Sequence, residues 1–205
     1  MCYDTGMNTR FYAVSRTQLG QLAACLKRDF PPNELISLGN LPSLYESGFY
    51  RCWALEADEP PLAAYAICAI QPDHGWVLLI YLAVDPALRD RGLGGAMMEH
   101  LKQQYSENAG IIVEAELPGA AKDAAELVLR NRRFAFYFSH GARVLLDEGY
   151  YLYGVDFSVL SIPMHPENQH IVLGDLMRSW YRAALPPQEM RNVRFSPNAE
   201  LLKVE

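Results

Sequence analysis

Apolar positions recur at two spacings along this chain, and the switches between them divide it into elements. Phe11–Val14 reads as a short strand after a loose end over residues 1–9. Ser15 and Gln18 form a capping-box pair. Behind them Leu19, Leu22, Ala23, Leu26 and Phe30 recur at helical spacing until Pro31 and Pro32 stop the run. Asn33 is placed to cap a second helical stretch through Leu35, Leu38, Leu41 and Leu44, broken near Gly48. Strand-like runs follow at Tyr50–Leu55, Leu62–Ile70 and Trp76–Val84, with turns at Glu59-Pro60-Pro61 and Pro72-Asp73-His74-Gly75. The third run, WVLLIYLAV, does not alternate, which places it mid-sheet with both faces covered. Asp85-Pro86 ends it.

A helix is predicted over about Gly92–Tyr105, where Leu93, Met97, Leu101 and Tyr105 repeat every four residues beside Ala96. Ile111–Glu116 is a strand, and Pro118-Gly119 opens a loop. A second long helix covers about Ala124–His140, with Gly141 as its C′ residue. Arg143–Leu146 and Tyr151–Leu160 read as two closing strands. After Ile162-Pro163 comes a tail with one more helix, about Ile171–Ala184, ended by Pro186-Pro187. Strand runs mixed with crossover helices argue an α+β (mixed α/β) chain. The expected organisation is one domain over 1–160 with a helical extension over 161–205 packed on it.

Composition narrows the function classes. The chain has 205 residues, half of them hydrophobic, and no biased segment, so it can bury a core of its own. A net charge of −6 argues against a nucleic-acid partner, which needs a cationic surface. The longest apolar run is the nine residues Trp76–Val84, too short for a bilayer span, so no membrane partner is expected. Cys2, Cys25, Cys52 and Cys68 lack C-x-x-C spacing, and His165 and His170 have no third ligand at metal spacing. The expectation is a cytoplasmic protein with reduced thiols and no metal.

The most informative segment is YLAVDPALRDRGLGG, residues 81–95. A buried strand ends in a proline turn, and Arg89-x-x-Gly92-x-Gly94 leads straight into a helix. Glycines let backbone N–H groups approach an anion, the helix N-terminus adds partial positive charge, and Arg89 and Arg91 add full charges. That combination suits a pyrophosphate. The loop lacks the Gly-Lys-Ser/Thr of a Walker A loop and the spacing of a dinucleotide fingerprint.

With a second signature the segment resembles the GNAT superfamily of acyl-CoA-dependent N-acyltransferases and looks like an uncharacterised bacterial branch of it. R/Q-x-x-G-x-G/A is that family's pyrophosphate motif, and an F-Y pair followed three residues later by Gly is its other mark, here Phe136-Tyr137 and Gly141. The run from Glu114 through Asp156 also looks like this branch, with E-x-E-x-P, R-x-R-R-x-x-F-Y and a G-V-D-[FY] strand. The resemblance covers about Phe11–Leu160. It implies a central, mostly antiparallel sheet flanked by helices, with an acyl-CoA cleft between two splayed parallel strands. It implies acetyl-CoA as cofactor, contacted by Arg89, Asp90, Arg91, Gly92, Leu93, Gly94 and Gly95 at the pyrophosphate. Leu82, Ala83 and Val84 would contact the pantetheine arm through their backbone. It makes Tyr137 the general acid.

The remaining roles rest on spacing. Arg130, Arg133 and Tyr137 lie three and four apart and share a helix face, with Leu127, Phe134 and Phe138 as a neighbouring apolar stripe. In the family that the chain resembles, many members carry an asparagine where Arg130 stands, contacting the cofactor arm. Arg130 therefore either binds cofactor phosphate with Arg133 or pairs with an acid. Glu114 and Glu116, two apart on a strand, share a face. One can take the ammonium proton and both can attract a cationic amine, or they pair with Arg130 or Arg133. His100 is expected at the surface, and Tyr150, Tyr151 and Tyr153 as strand packing. The expected activity is acetyl transfer from acetyl-CoA to a small primary amine in a ternary complex, by a monomer or homodimer. The alternatives are a longer acyl group, a peptide or protein amine, or a non-catalytic acyl-CoA binder.

Overall fold

The computed structural model describes residues 8–32, 34–35, 38–57, 62–71, 75–146, 150–165, 171–196 and 203–204. The first half of the chain builds β1 (Arg10–Ala13), α1 (Leu19–Asp29), α2 (Leu41–Glu46), β2 (Tyr50–Glu56), β3 (Ala64–Ile70), β4 (Trp76–Val84) and α3 (Leu93–Gln104). The second half builds β5 (Gly110–Glu116), α4 (Ala124–Ser139), β6 (Arg143–Leu146), β7 (Tyr150–Leu152) and β8 (Val155–Pro163). It closes with β9 (Ile171–Val172), α5 (Leu173–Ala184), β10 (Val193–Phe195) and β11 (Lys203–Val204). The chain divides into two units, residues 1–70 with 79–104 and residues 71–78 with 105–205, changing unit within β4.

In the first unit β1 pairs antiparallel with β2 and β2 with β3, and β4 follows β3. The Ser15 N–H donates to Gln18 Oε1 at 2.9 Å, the capping contact expected, on a 3₁₀ turn that leads into α1. Leu19, Leu22 and Leu26 form the buried stripe of α1, and Leu93, Met97 and Leu101 that of α3, which lies on β2 and β3. α2 is shorter than its leucine spacing predicts. Pro42 has no N–H to give and fits only a first helical turn, so the helix opens at Leu41 behind a 3₁₀ turn over Leu38–Asn40. Asn33, its expected cap, and the turns expected over residues 59–61 and 72–74 lie outside the described residues. His100 is half-buried rather than at the surface, because its ring stacks on Phe11 at 4.7 Å.

In the second unit the strand order is β5-β8-β7-β10, with β6 also on β8, all antiparallel. Gly110 opens β5 where a Cβ would sit 2.5 Å from the Ile162 carbonyl and from Trp76, so a larger residue would not fit. The single strand expected over Tyr151–Leu160 is a hairpin of β7 and β8. Tyr153 (φ 50°) and Gly154 (φ 79°) form its two-residue loop, and positive φ at both positions suits the twist of the paired strands. A tyrosine in that conformation is uncommon, so the turn leaves little trace in sequence. α5 starts at Leu173 rather than Ile171, because Ile171–Val172 pairs with β11. Leu173, Leu176, Met177, Trp180, Tyr181 and Ala184 form its buried face.

α4 packs on β5 with its polarity inverted. Its buried residues are Arg130 and Tyr137, while Leu127, Val128, Leu129 and Phe138 are exposed. The apolar stripe read from the sequence is therefore not its packing face, because the Glu116 carboxylate and the Leu117 carbonyl beneath it take the arginines of the opposite face. Among the described residues no helix is long and apolar enough to cross a membrane.

Candidate active site

The candidate residues fall into two groups, one in each unit. In the first unit β4 loses burial toward its end, where Leu82, Ala83 and Val84 are half-exposed. The Asp85 N–H donates to the Ala63 carbonyl at 2.9 Å, which fixes the strand end. The Asp85 carboxylate accepts the Ala87 N–H at 3.0 Å and an Arg28 N–H at 2.6 Å. Arg28 also forks onto Asp29, whose side chain is 1% exposed and accepts the Tyr65 hydroxyl at 2.9 Å. The bond to Asp29 raises the Arg28 guanidinium above its ordinary range, and burial raises the Tyr65 phenol. This Tyr65–Asp29–Arg28–Asp85 chain carries no sequence motif, and it anchors the start of the loop.

Arg89 Nε donates to the Val84 carbonyl at 3.3 Å, and its guanidinium stands 4.0 Å from Asp29 with the side chain 55% exposed. Arg91 is exposed as well. Asp90 (φ 63°) and Gly92 (φ 79°) turn the chain into α3, whose first intrahelical bond runs from the Ala96 N–H to the Gly92 carbonyl at 2.9 Å. The N–H groups of Leu93, Gly94 and Gly95 precede that bond and have no intrahelical acceptor. Leu93 is 1% exposed and pins the helix end from below. Orphan donors, the helix dipole and two solvent-facing guanidinium groups together suit a pyrophosphate.

In the second unit Glu114 and Glu116 leave one face of β5, opposite Val159 and Phe157 of β8. Arg130 of α4 reaches Glu116 at 3.1 Å, Glu126 at 2.8 Å and the Leu117 carbonyl at 2.6 Å. Arg133 reaches the other Glu116 oxygen at 2.9 Å. Of the two roles open to Arg130, the structure shows the pairing with acids. Glu116 and Arg133 belong to the same cluster.

Glu114 meets different partners. The Tyr181 hydroxyl of α5 lies 2.7 and 2.6 Å from its two oxygens, and the Tyr150 hydroxyl of β7 bonds Oε1. The residue is surrounded by protein yet keeps some contact with solvent. Desolvation pushes its carboxyl up to about 7, against the pull of the two phenols. Desolvation, followed by the Glu114 charge, raises both phenols well above their ordinary range, so they stay protonated and donate. Tyr150, which the sequence pattern assigns to strand packing, and Tyr181, which no motif marks, are thus in contact with the candidate base. Tyr137 is 8% exposed, and burial pushes its phenol up to about 12 with Arg133 pulling down. No described residue hydrogen-bonds its hydroxyl. Among the described residues no cluster of His, Cys, Asp and Glu is arranged to hold a metal.

Solved structures of similar fold include the ribosomal-protein-S18-alanine N-acetyltransferase of Escherichia coli, 23% identical, covering 80% of this chain and all of that one at a TM-score of 0.59. A GNAT-family acetyltransferase from Bacteroides thetaiotaomicron is 18% identical, covering 84% and 94% at a TM-score of 0.64. A spermidine N-acetyltransferase from Vibrio cholerae, in complex with CoA and spermine, is 13% identical, covering 76% and 95% at a TM-score of 0.56. No curated protein matches the chain. The sequence profile of the acetyltransferase (GNAT) family matches residues 20–127, which takes in the loop and β5. The chain therefore belongs to the GNAT family of acyl-CoA-dependent N-acyltransferases.

Proposed function

We propose that this protein moves an acetyl group from acetyl-CoA to a primary amine by direct transfer in a ternary complex. The observation that carries the reading is Glu114, a carboxyl with no cationic partner among the described residues, raised to about 7 by its surroundings and still in touch with solvent. A general base works best when it titrates near the operating pH. Three cysteines, Cys25, Cys52 and Cys68, joined by no disulfide, support a cytoplasmic setting.

Acetyl-CoA supplies an activated thioester. Arg89, Arg91 and the N–H groups of Leu93, Gly94 and Gly95 hold its pyrophosphate, and the backbone of Leu82–Val84 its pantetheine arm. The Val84 N–H stabilises the charge that develops on the acetyl oxygen. Glu114 takes the ammonium proton and frees the nitrogen lone pair. As the C–N bond forms and the C–S bond breaks, Tyr137 gives its phenolic proton to the sulfur. The second N–H proton leaves to Tyr137 or to solvent. With its phenol at about 12, Tyr137 stays loaded with its proton through the neutral range. Arg130 and Arg133 hold α4 on β5 through Glu116.

Thiol release from acetyl-CoA, measured over a panel of amines that includes spermidine and a peptide with N-terminal alanine, tests the reading. Transfer to at least one amine, lowered by Tyr137→Phe, is the expected result. Tight CoA binding without release for any amine would instead make the protein a binder.

A further inference from the structure

We infer that Tyr181 of α5, together with Tyr150 of β7, positions the Glu114 carboxylate to accept the amine's proton, so the segment beyond the family-matched residues supplies part of the catalytic apparatus. The inference rests on the reading of Glu114 as the base. It deepens that reading by assigning two positioning residues that neither family motif contains.

The contacts define the arrangement. The Tyr181 hydroxyl lies 2.7 Å from one Glu114 oxygen and 2.6 Å from the other, and the Tyr150 hydroxyl bonds Oε1. Each phenol has one proton to give, while a carboxylate offers roughly four lone-pair sites. Two donors therefore fix the plane of the carboxylate and leave acceptor sites open for an incoming N–H. Both rings are held in turn. Tyr150 is fully buried and stacks on Phe195 of β10 at 4.8 Å, and the Phe195 ring carries the Arg178 guanidinium at 5.7 Å. Tyr181 is 5% exposed and belongs to the buried face of α5, one residue after the buried Trp180. The hydroxyl ends of the two rings meet Glu114 and each other.

Among the described residues, the other elements around the carboxyl bring no charge to it. β8 places Val159 opposite Glu114. From α4, Arg130 and Arg133 are bonded to Glu116, and Tyr137 shows no bond to Glu114. A carboxylate serving packing alone would gain from a guanidinium partner, as Glu116 does two residues away. Two neutral donors instead align the carboxylate without abolishing its basicity. Removing one of them takes away a bond that favours the charged form, so the carboxyl should become harder to ionise.

The test follows the Glu114 side-chain carboxyl by NMR in full-length protein carrying ¹³C-labelled glutamate, with Glu114→Gln identifying the resonance. Alongside it, kcat/KM for thiol release is measured against pH with acetyl-CoA and the most active amine of the panel. In the parent the carboxyl should titrate near 7. Tyr181→Phe should move that midpoint up by about one pH unit and carry the acid limb of kcat/KM with it. CoA affinity, read by calorimetry, should stay within about twofold. A Tyr181→Phe midpoint equal to the parent's, or one that moves without the acid limb, would overturn the inference. Should Tyr181→Phe fail to fold, Tyr150→Phe carries the same expectations. A parent midpoint in the ordinary range of about 4.3 would also overturn it. Failure of the underlying reading looks different: Glu114→Gln would then keep the parent's rate and acid limb.

Discussion

Glu116 and Glu114 leave the same face of β5 two residues apart and meet opposite surroundings. Glu116 is gripped by Arg130 and Arg133 of α4. Arg130 also holds Glu126, itself kept below the usual carboxylate range by the Lys122 backbone N–H. Among the described residues Glu114 is bonded by phenols alone, and its carboxyl rises to about 7. One carboxylate is held in place by two guanidinium groups, while the other is left near its midpoint by burial and neutral donors. Identical side chains on one strand thus divide into a structural anchor and a proton acceptor, and the neighbouring helices make the division.

The sharpest way to break this comparison is to neutralise each carboxylate alone. Glu114→Gln should lower kcat for thiol release by about 10²–10⁴, the range of general acid–base catalysis, with little change in KM for acetyl-CoA. Glu116→Gln should stay within about tenfold of the parent. Next in size is a pH effect on stability, read by denaturant titration. Between an unfolded value of about 4.3 and the folded value near 7, the folded protein keeps a Glu114 proton that the unfolded chain has lost. Unfolding free energy should therefore fall as pH rises through that window, on the order of 4 kcal/mol from this group. Glu114→Gln should remove that part of the slope, and Glu116→Gln should not.

Smaller still is the cost of removing the anchor. Glu116→Ala leaves the nearly buried Arg130 with Glu126 and the Leu117 carbonyl, so thermal unfolding should show a loss of about 1–2 kcal/mol. The smallest effect belongs to Asp123, which caps α4 by accepting the Glu126 N–H at 2.8 Å. Asp123→Ala should cost about 1 kcal/mol, loosen the Arg130 cluster first and leave the pH dependence of the rate in place.

The sequence makes one side of this comparison visible and hides the other. The R-x-x-G-x-G loop, the F-Y-x-x-x-G frame and the E-x-E pair are local patterns, so their residues stand out along the chain itself. The partners of Glu116 are legible because Arg130 and Arg133 sit at helical spacing on the next element. Tyr181 lies 67 residues from Glu114 and reads as one more position on the apolar face of α5. A tyrosine hydroxyl at the tip of a buried ring gives no periodic signal. Tyr150 is hidden for a related reason: the Tyr153-Gly154 turn has no clear signature, so β7 merges with β8 and its tyrosines look like ordinary packing. The Tyr65–Asp29–Arg28–Asp85 chain joins three segments through single polar contacts, and spacing cannot reveal that either.

The most direct test of the account is kcat/KM for thiol release from acetyl-CoA across about pH 5 to 9, in the parent and in Glu114→Gln. The parent should show a one-proton rise with a midpoint near 7 and no alkaline fall within that range, because Tyr137 keeps its proton up to about 12. Glu114→Gln should be slow at every pH and lack that rise. The same midpoint and the same plateau in both proteins would contradict the account.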